Sequence, residues 1–99
     1  MIAPYVHIGR LTEASKATTD EMMDLAKRCE RALRDIYQPE GFNLGMNLGH
    51  VAGAGFADHI HMHLLPRWGG DTNFMSTVSD TRVLPEDLAT TYQKLRGKF

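Results

Sequence analysis

Apolar and polar residues change their rhythm several times along the chain. Met22, Leu25, Ala26, Cys29, Leu33 and Ile36 recur at three- and four-residue intervals, the stripe of an amphipathic helix. Thr18-Thr19-Asp20-Glu21 precedes that stripe and places Glu three residues after Thr18, a capping-box signature. The helix is expected to begin there and to run to about Tyr37, with Glu30, Arg31, Arg34 and Asp35 mostly on its wet side. Pro39-Glu40-Gly41 stops it. Beyond it the period falls to two. Phe42, Leu44, Met46 and Leu48 alternate with Asn43, Gly45 and Asn47, which predicts a strand with one apolar face and one small, polar face.

The same alternation returns at 58–67, where His59, His61 and His63 are separated by Ile60 and Met62 and followed by Leu64. In a strand successive side chains point to opposite faces with a rise of about 3.3 Å, so the imidazoles would line one face roughly 6.6 Å apart. Ile60, Met62 and Leu64 would fill the other face and bury. A helix would spread the three rings through a wide arc. Between the two strands, 49–55 holds three glycines and two alanines around His50 and Val51, a turn that joins them as an antiparallel pair.

The ends are less periodic. Residues 1–11 predict a short strand ending near Pro4-Tyr5, then a loop with His7, Gly9 and Arg10. Residues 66–77 predict a polar, glycine-containing loop carrying Trp68 and Phe74, and 78–83 a short strand. Pro85-Glu86-Asp87 opens a C-terminal helix, with proline at its first position and acids in its first turn, and Leu88, Tyr92 and Leu95 form its narrow apolar face. No repeat, low-complexity segment or linker divides the chain, so 1–99 reads as a single α+β domain.

Composition narrows the class. Ninety-nine residues allow one modest core. A net charge of -1 and a pI near 6.5 leave no electrostatic footprint for nucleic acid or a membrane surface. The single cysteine, Cys29, excludes an internal disulfide and sits on the helical stripe as a small core residue, so a reducing cytoplasm is expected. Apolar runs are far too short to span a bilayer, and Met1-Ile2-Ala3-Pro4-Tyr5 does not make a signal peptide.

Two chemistries suit the histidine strand. Imidazole binds zinc, copper and nickel, but a catalytic zinc recruits a further ligand from elsewhere, and no second cluster of Cys, Asp or Glu stands at ligand spacing. Alternatively a neutral imidazole attacks phosphorus and forms a covalent phosphoramidate, with flanking histidines donating protons and backbone N–H groups of the glycine turn holding phosphate oxygens. Arg67 reads equally as an anion contact or a surface charge. His7 and His50 read as loop or surface histidines, and Trp68 as packing.

His59-Ile60-His61-Met62-His63-Leu64-Leu65 resembles the signature of the histidine triad (HIT) superfamily of nucleotide hydrolases and transferases. Asn47-Leu48-Gly49, Ala52-Gly53-Ala54-Gly55, Pro66-Arg67-Trp68-Gly69-Gly70-Asp71 and Asn73-Phe74 look like the branch containing diadenosine-polyphosphate phosphorylases and hydrolases. The resemblance implies an α+β fold in which a long helix crosses an antiparallel sheet, with a C-terminal helix, and a homodimer sharing one continuous sheet. It implies that His61 attacks the α-phosphate of a dinucleoside polyphosphate or related adenine nucleotide and carries a nucleotidyl intermediate. His59 and His63 would position and protonate phosphate and leaving-group oxygens. Asn47 would orient the ribose or phosphate, and the backbone at Gly53, Ala54 and Gly55 would contact phosphate. No metal enters the nucleophilic step, although magnesium can accompany a polyphosphate substrate. Gly55 and Phe56 stand where many members carry Ser or Thr. Residues 1–5 match a mid-domain strand, so the domain is expected to lack its N-terminal part and to form a dimer or higher oligomer. The alternative implied is a catalytically weak or inactive nucleotide-binding fragment.

Overall fold

Ser15, rather than Thr18, starts the long helix. In the computed structural model, which describes residues 1–55, 57–71 and 86–99, α1 spans Lys16–Tyr37 and the Ser15 hydroxyl accepts from the Thr18 N–H at 3.1 Å. Both residues can cap, and the earlier one does; the turn it adds begins with Lys16, which pairs with Asp20. Gln38 closes α1 in the left-handed region (φ 49°), its N–H donating to the Arg34 carbonyl, and buried Pro39 then prevents continuation.

Strand β1, Gly41–Met46, pairs antiparallel with β2, Met62–Arg67. The expected faces hold. Met46 lies opposite Met62 and Leu44 opposite Leu64, while Gly45 lies opposite His63, so the strand partner leaves space beside that imidazole. Both strands are shorter at the histidine end than the alternation suggested. His59, Ile60 and His61 precede the ladder and are tied instead to the amino-terminal segment. Ile60 N–H donates to the Ile8 carbonyl at 2.9 Å, and Ile2 and Met62 exchange both backbone hydrogen bonds. The opening strand is thus a single bridge at Ile2. Pro66 and Arg67, expected in a loop, complete β2 opposite Phe42 and Gly41.

The core lies between α1 and the inner face of the hairpin. Ile2, Met22, Ala26 and Met62 are buried together, with Leu25, Cys29 and Met46 packed around them. Burying a side chain such as Ile2 or Met62 contributes about 2 kcal/mol. Ile60 is also buried, which sets the phase of the histidine segment: even positions face inward and the histidines face out. A C-terminal helix, α2 (Leu88–Leu95), is capped by Asp87, whose side chain accepts from the Thr90 N–H at 2.7 Å. It is held against α1 by Glu86, which accepts from Tyr37, Thr91 and Lys94, and by Lys98 on Asp35. The strand expected at 78–83, the remainder of the 66–77 loop beyond Asp71, and Pro85 lie outside the described residues. Among the described residues no helix is long and apolar enough to cross a membrane.

Candidate active site

The three histidines are not evenly spaced along a flat strand. The His61 and His63 rings meet edge to face, with centroids 4.8 Å apart and planes at 85°. The His59 ring turns toward the amino-terminal segment. Its Nε2 lies 2.8 Å from the Pro4 carbonyl oxygen, and its centroid lies 5.1 Å from that of His7. The site therefore consists of two imidazole pairs, His61 with His63 and His59 with His7. All three triad side chains are half-buried.

Backbone carbonyls decide the tautomers, because a carbonyl only accepts. His61 Nδ1 lies 3.3 Å from the His59 carbonyl oxygen, so that nitrogen carries the proton and Nε2 of a neutral His61 keeps its lone pair. The short contact to Pro4 likewise puts a proton on His59 Nε2. Burial pushes the His63 pKa below its ordinary 6.5, and the charges of His61 and of the amino terminus push it the same way. His63 is thus kept neutral near pH 7.

The glycine loop is organised by Asn47 and by its own backbone. Asn47 Nδ2 donates to the Ala52 carbonyl at 2.7 Å, across a 3₁₀ turn at His50–Ala52. Gly49 and Gly53 flank that turn with φ of 90° and 91°, conformations open to glycine and costly for other residues. The Gly53 and Ala54 N–H groups donate to the His50 and Gly49 carbonyls, and Ala54 is buried. Gly55 is exposed, and its N–H has no hydrogen-bond partner among the described residues. Of Gly53, Ala54 and Gly55, only Gly55 has an N–H without a partner among the described residues.

Arg67 is committed to a brace after β2. Its guanidinium grips Asp71 through two nitrogens and donates to Asn43 Oδ1 at 2.5 Å. The hydrogen bonds from Arg67, helped by that from the Trp68 N–H, hold the Asp71 carboxyl down to about 2. Glu40 completes the brace by accepting from the Gly69 N–H. His7 is the residue that sequence reasoning placed on the surface and the fold brings to the site. Its nearest local signal is Gly9, where an added Cβ would come within 2.8 Å of the Ala57 carbonyl; this close approach binds the 7–10 segment to the residues just before His59. His50 remains exposed in the 3₁₀ turn. Among the described residues no group of three or more His, Cys, Asp or Glu side chains could hold a metal ion.

A small α+β domain in which an HxHxH segment follows a glycine loop defines a narrow class of proteins, and comparison with known proteins identifies it. A family model described as HIT domain matches residues 1–70. The AP-4-A phosphorylase of Mycobacterium tuberculosis is 36% identical over 99 residues, covering 100% of this chain and 51% of its own length. Protein hit of Bacillus subtilis is 31% identical over 74 residues, covering 75% of this chain and 50% of its own. The chain spans about half the length of the curated relatives it matches. Among solved structures, a Zn-bound histidine triad family protein from Mycobacterium smegmatis superposes with a TM-score of 0.74 at 30% identity, over 97% of this chain and 64% of that one. A HIT family protein from Bacillus subtilis does so with a TM-score of 0.63 at 27% identity, over 98% and 70%. The chain belongs to the HIT domain family.

Proposed function

We propose that this chain carries the catalytic half of a nucleotide hydrolase or nucleotidyltransferase acting on the α-phosphate of a dinucleoside polyphosphate or related adenine nucleotide. The observation that carries the reading is the His61 tautomer, fixed by the His59 carbonyl beside a His63 that burial keeps neutral. A neutral imidazole with its lone pair turned away from the backbone is a competent nucleophile. The 36% identical relative, named AP-4-A phosphorylase, supports the substrate class.

His61 Nε2 attacks the α-phosphorus, forming the P–N bond as the bond to the bridging oxygen breaks, and the polyphosphate leaves as its anion. Water or inorganic phosphate then attacks the same phosphorus and expels His61. With diadenosine tetraphosphate the first step releases ATP, and the second gives AMP with water or ADP with phosphate. His63, adjacent to His61, is assigned to the phosphoryl oxygens. His59 positions the nucleophile through its own carbonyl, with its ring anchored on Pro4. The Gly55 N–H is the loop donor assigned to phosphate, and Asn47 holds the loop in shape. The histidine step is assigned no metal ion, and magnesium is assigned to the polyphosphate. The working unit is assigned as a homodimer.

The test is incubation with diadenosine tetraphosphate, with and without phosphate, followed by nucleotide separation and intact mass. ADP plus ATP appearing only with phosphate identifies a phosphorylase; AMP plus ATP without phosphate identifies a hydrolase. An adenylyl mass that disappears in His61→Ala identifies the nucleophile. Adduct formation that persists in a chelator supports the metal-free step. Binding without turnover or adduct defeats the enzyme reading in favour of a nucleotide-binding fragment.

A further inference from the structure

A groove of about 920 Å³ runs beside the triad between the 7–13 segment on one wall and Leu48, Gly49, Ala57 and Asp58 on the other. It is continuous with the site at two points. His7, on its wall, touches the His59 ring, and Asp58 directly precedes His59. The volume lies within the range of small-ligand pockets, roughly 300–1,000 Å³.

Its lining argues for the kind of group it holds. Ile8, Leu11 and Leu48 offer apolar surface suited to a base. Its charged residues are Glu13, Asp58 and Arg10. Two carboxylates against one fixed cation oppose a bare polyphosphate, but ionised carboxylates accept hydrogen bonds from sugar hydroxyls, and a planar guanidinium stacks on an aromatic face. A neutral nucleoside satisfies all of these features together.

We propose that this groove receives the nucleoside of the leaving half of the dinucleoside polyphosphate, while the half that becomes attached to phosphorus on His61 lies elsewhere. The proposal rests on the reading of His61 as nucleophile. It assigns a specificity role to a wall formed by residues outside the HxHxH signature.

The experiment uses the His61→Asn chain, which forms no adduct, with diadenosine tetraphosphate, AMP and inorganic tripolyphosphate as probes. Affinities are measured by calorimetry, and amide shifts are followed at Gly9, Thr12 and Gly49. The dinucleotide is expected to bind roughly tenfold tighter than AMP and to shift those amides, which AMP and tripolyphosphate leave in place. Thr12→Trp, which fills the groove, abolishes that advantage while AMP affinity is retained. Leu48→Asp, at an exposed position, does the same and covers the case in which Thr12→Trp fails to fold. Dinucleotide affinity unchanged in Leu48→Asp overturns the proposal, as does tripolyphosphate shifting the same amides. AMP binding with the groove amides silent to the dinucleotide rejects the groove alone. If neither nucleotide binds, the reading of the triad falls and the groove assignment falls with it.

Discussion

Two residues carry more of the site than their size suggests. His63 has its pKa lowered, so the folded state disfavours its protonated form. The sign follows: between the lowered folded value and the ordinary 6.5, the unfolded chain binds more protons, and stability rises with pH across that window. Stability should therefore be fully present above 6.5 and decline as the pH falls below it. Urea midpoints taken from about pH 5 to about pH 7 should show this slope, and His63→Gln should flatten it. Gly9 acts sterically. A Cβ there meets the Ala57 carbonyl at 2.8 Å and the Asp58 Cα at 3.3 Å, both backbone atoms that cannot swing aside. Gly9→Ala is expected to destabilise by about 1–3 kcal/mol and to move the chain just before His59. A lowered melting temperature together with a shifted His59 ring resonance would bear this out. Wild-type spectra would show that the contact has slack.

At the scale of elements, much of the architecture was legible because one periodicity dominates each stretch. The stripe from Met22 to Ile36 marks α1, and the alternation of Ile60 and Met62 with the histidines sets which face is buried. Ends were less legible. Ser15 and Thr18 are both capping types, and only the folded chain shows that Ser15 accepts the Thr18 N–H. Ser15→Ala should cost about 1 kcal/mol, whereas Thr18→Ala should cost less; chemical denaturation of the two variants separates them. His7 could not be placed from sequence, because its meeting with His59 depends on the bridge of Ile2 to Met62 and on the Ile60–Ile8 hydrogen bond. Such long-range pairings leave no local pattern. The Glu86 cluster was hidden for the same reason. Hydrogen bonds from Lys94, Thr91 and Tyr37 hold Glu86 down to about 2, against an ordinary 4.5. Its contribution is present above 4.5 and lost as the pH falls toward 2. Acid should loosen α2 from α1 across that window, and Glu86→Gln should remove the dependence. Fluorescence of a probe on the C-terminal segment reports the release.

At the scale of the whole molecule, the sheet is narrow and one side of it is open. Strand β1 pairs with β2 along one edge, and its other edge has no partner among the described residues. Backbone donors and acceptors in such an edge invite another strand. The side chain on it agrees: Leu44 on β1 is 47% exposed, although the alternation places it on the apolar face. A large apolar residue left half-open on the face that should be covered argues for a further surface packed against it. A second copy of the chain, adding its strands to the same sheet, is the arrangement proposed here. Sedimentation at micromolar concentration should then show a dimer or larger species that dissociates on dilution. Leu44→Lys, which places a charge on the open face without touching Met22, Ala26 or Met62 in the core, should shift the population to monomer while the helical signal stays unchanged. A wild-type chain that sediments as a monomer throughout would remove the second copy as the cover for this edge.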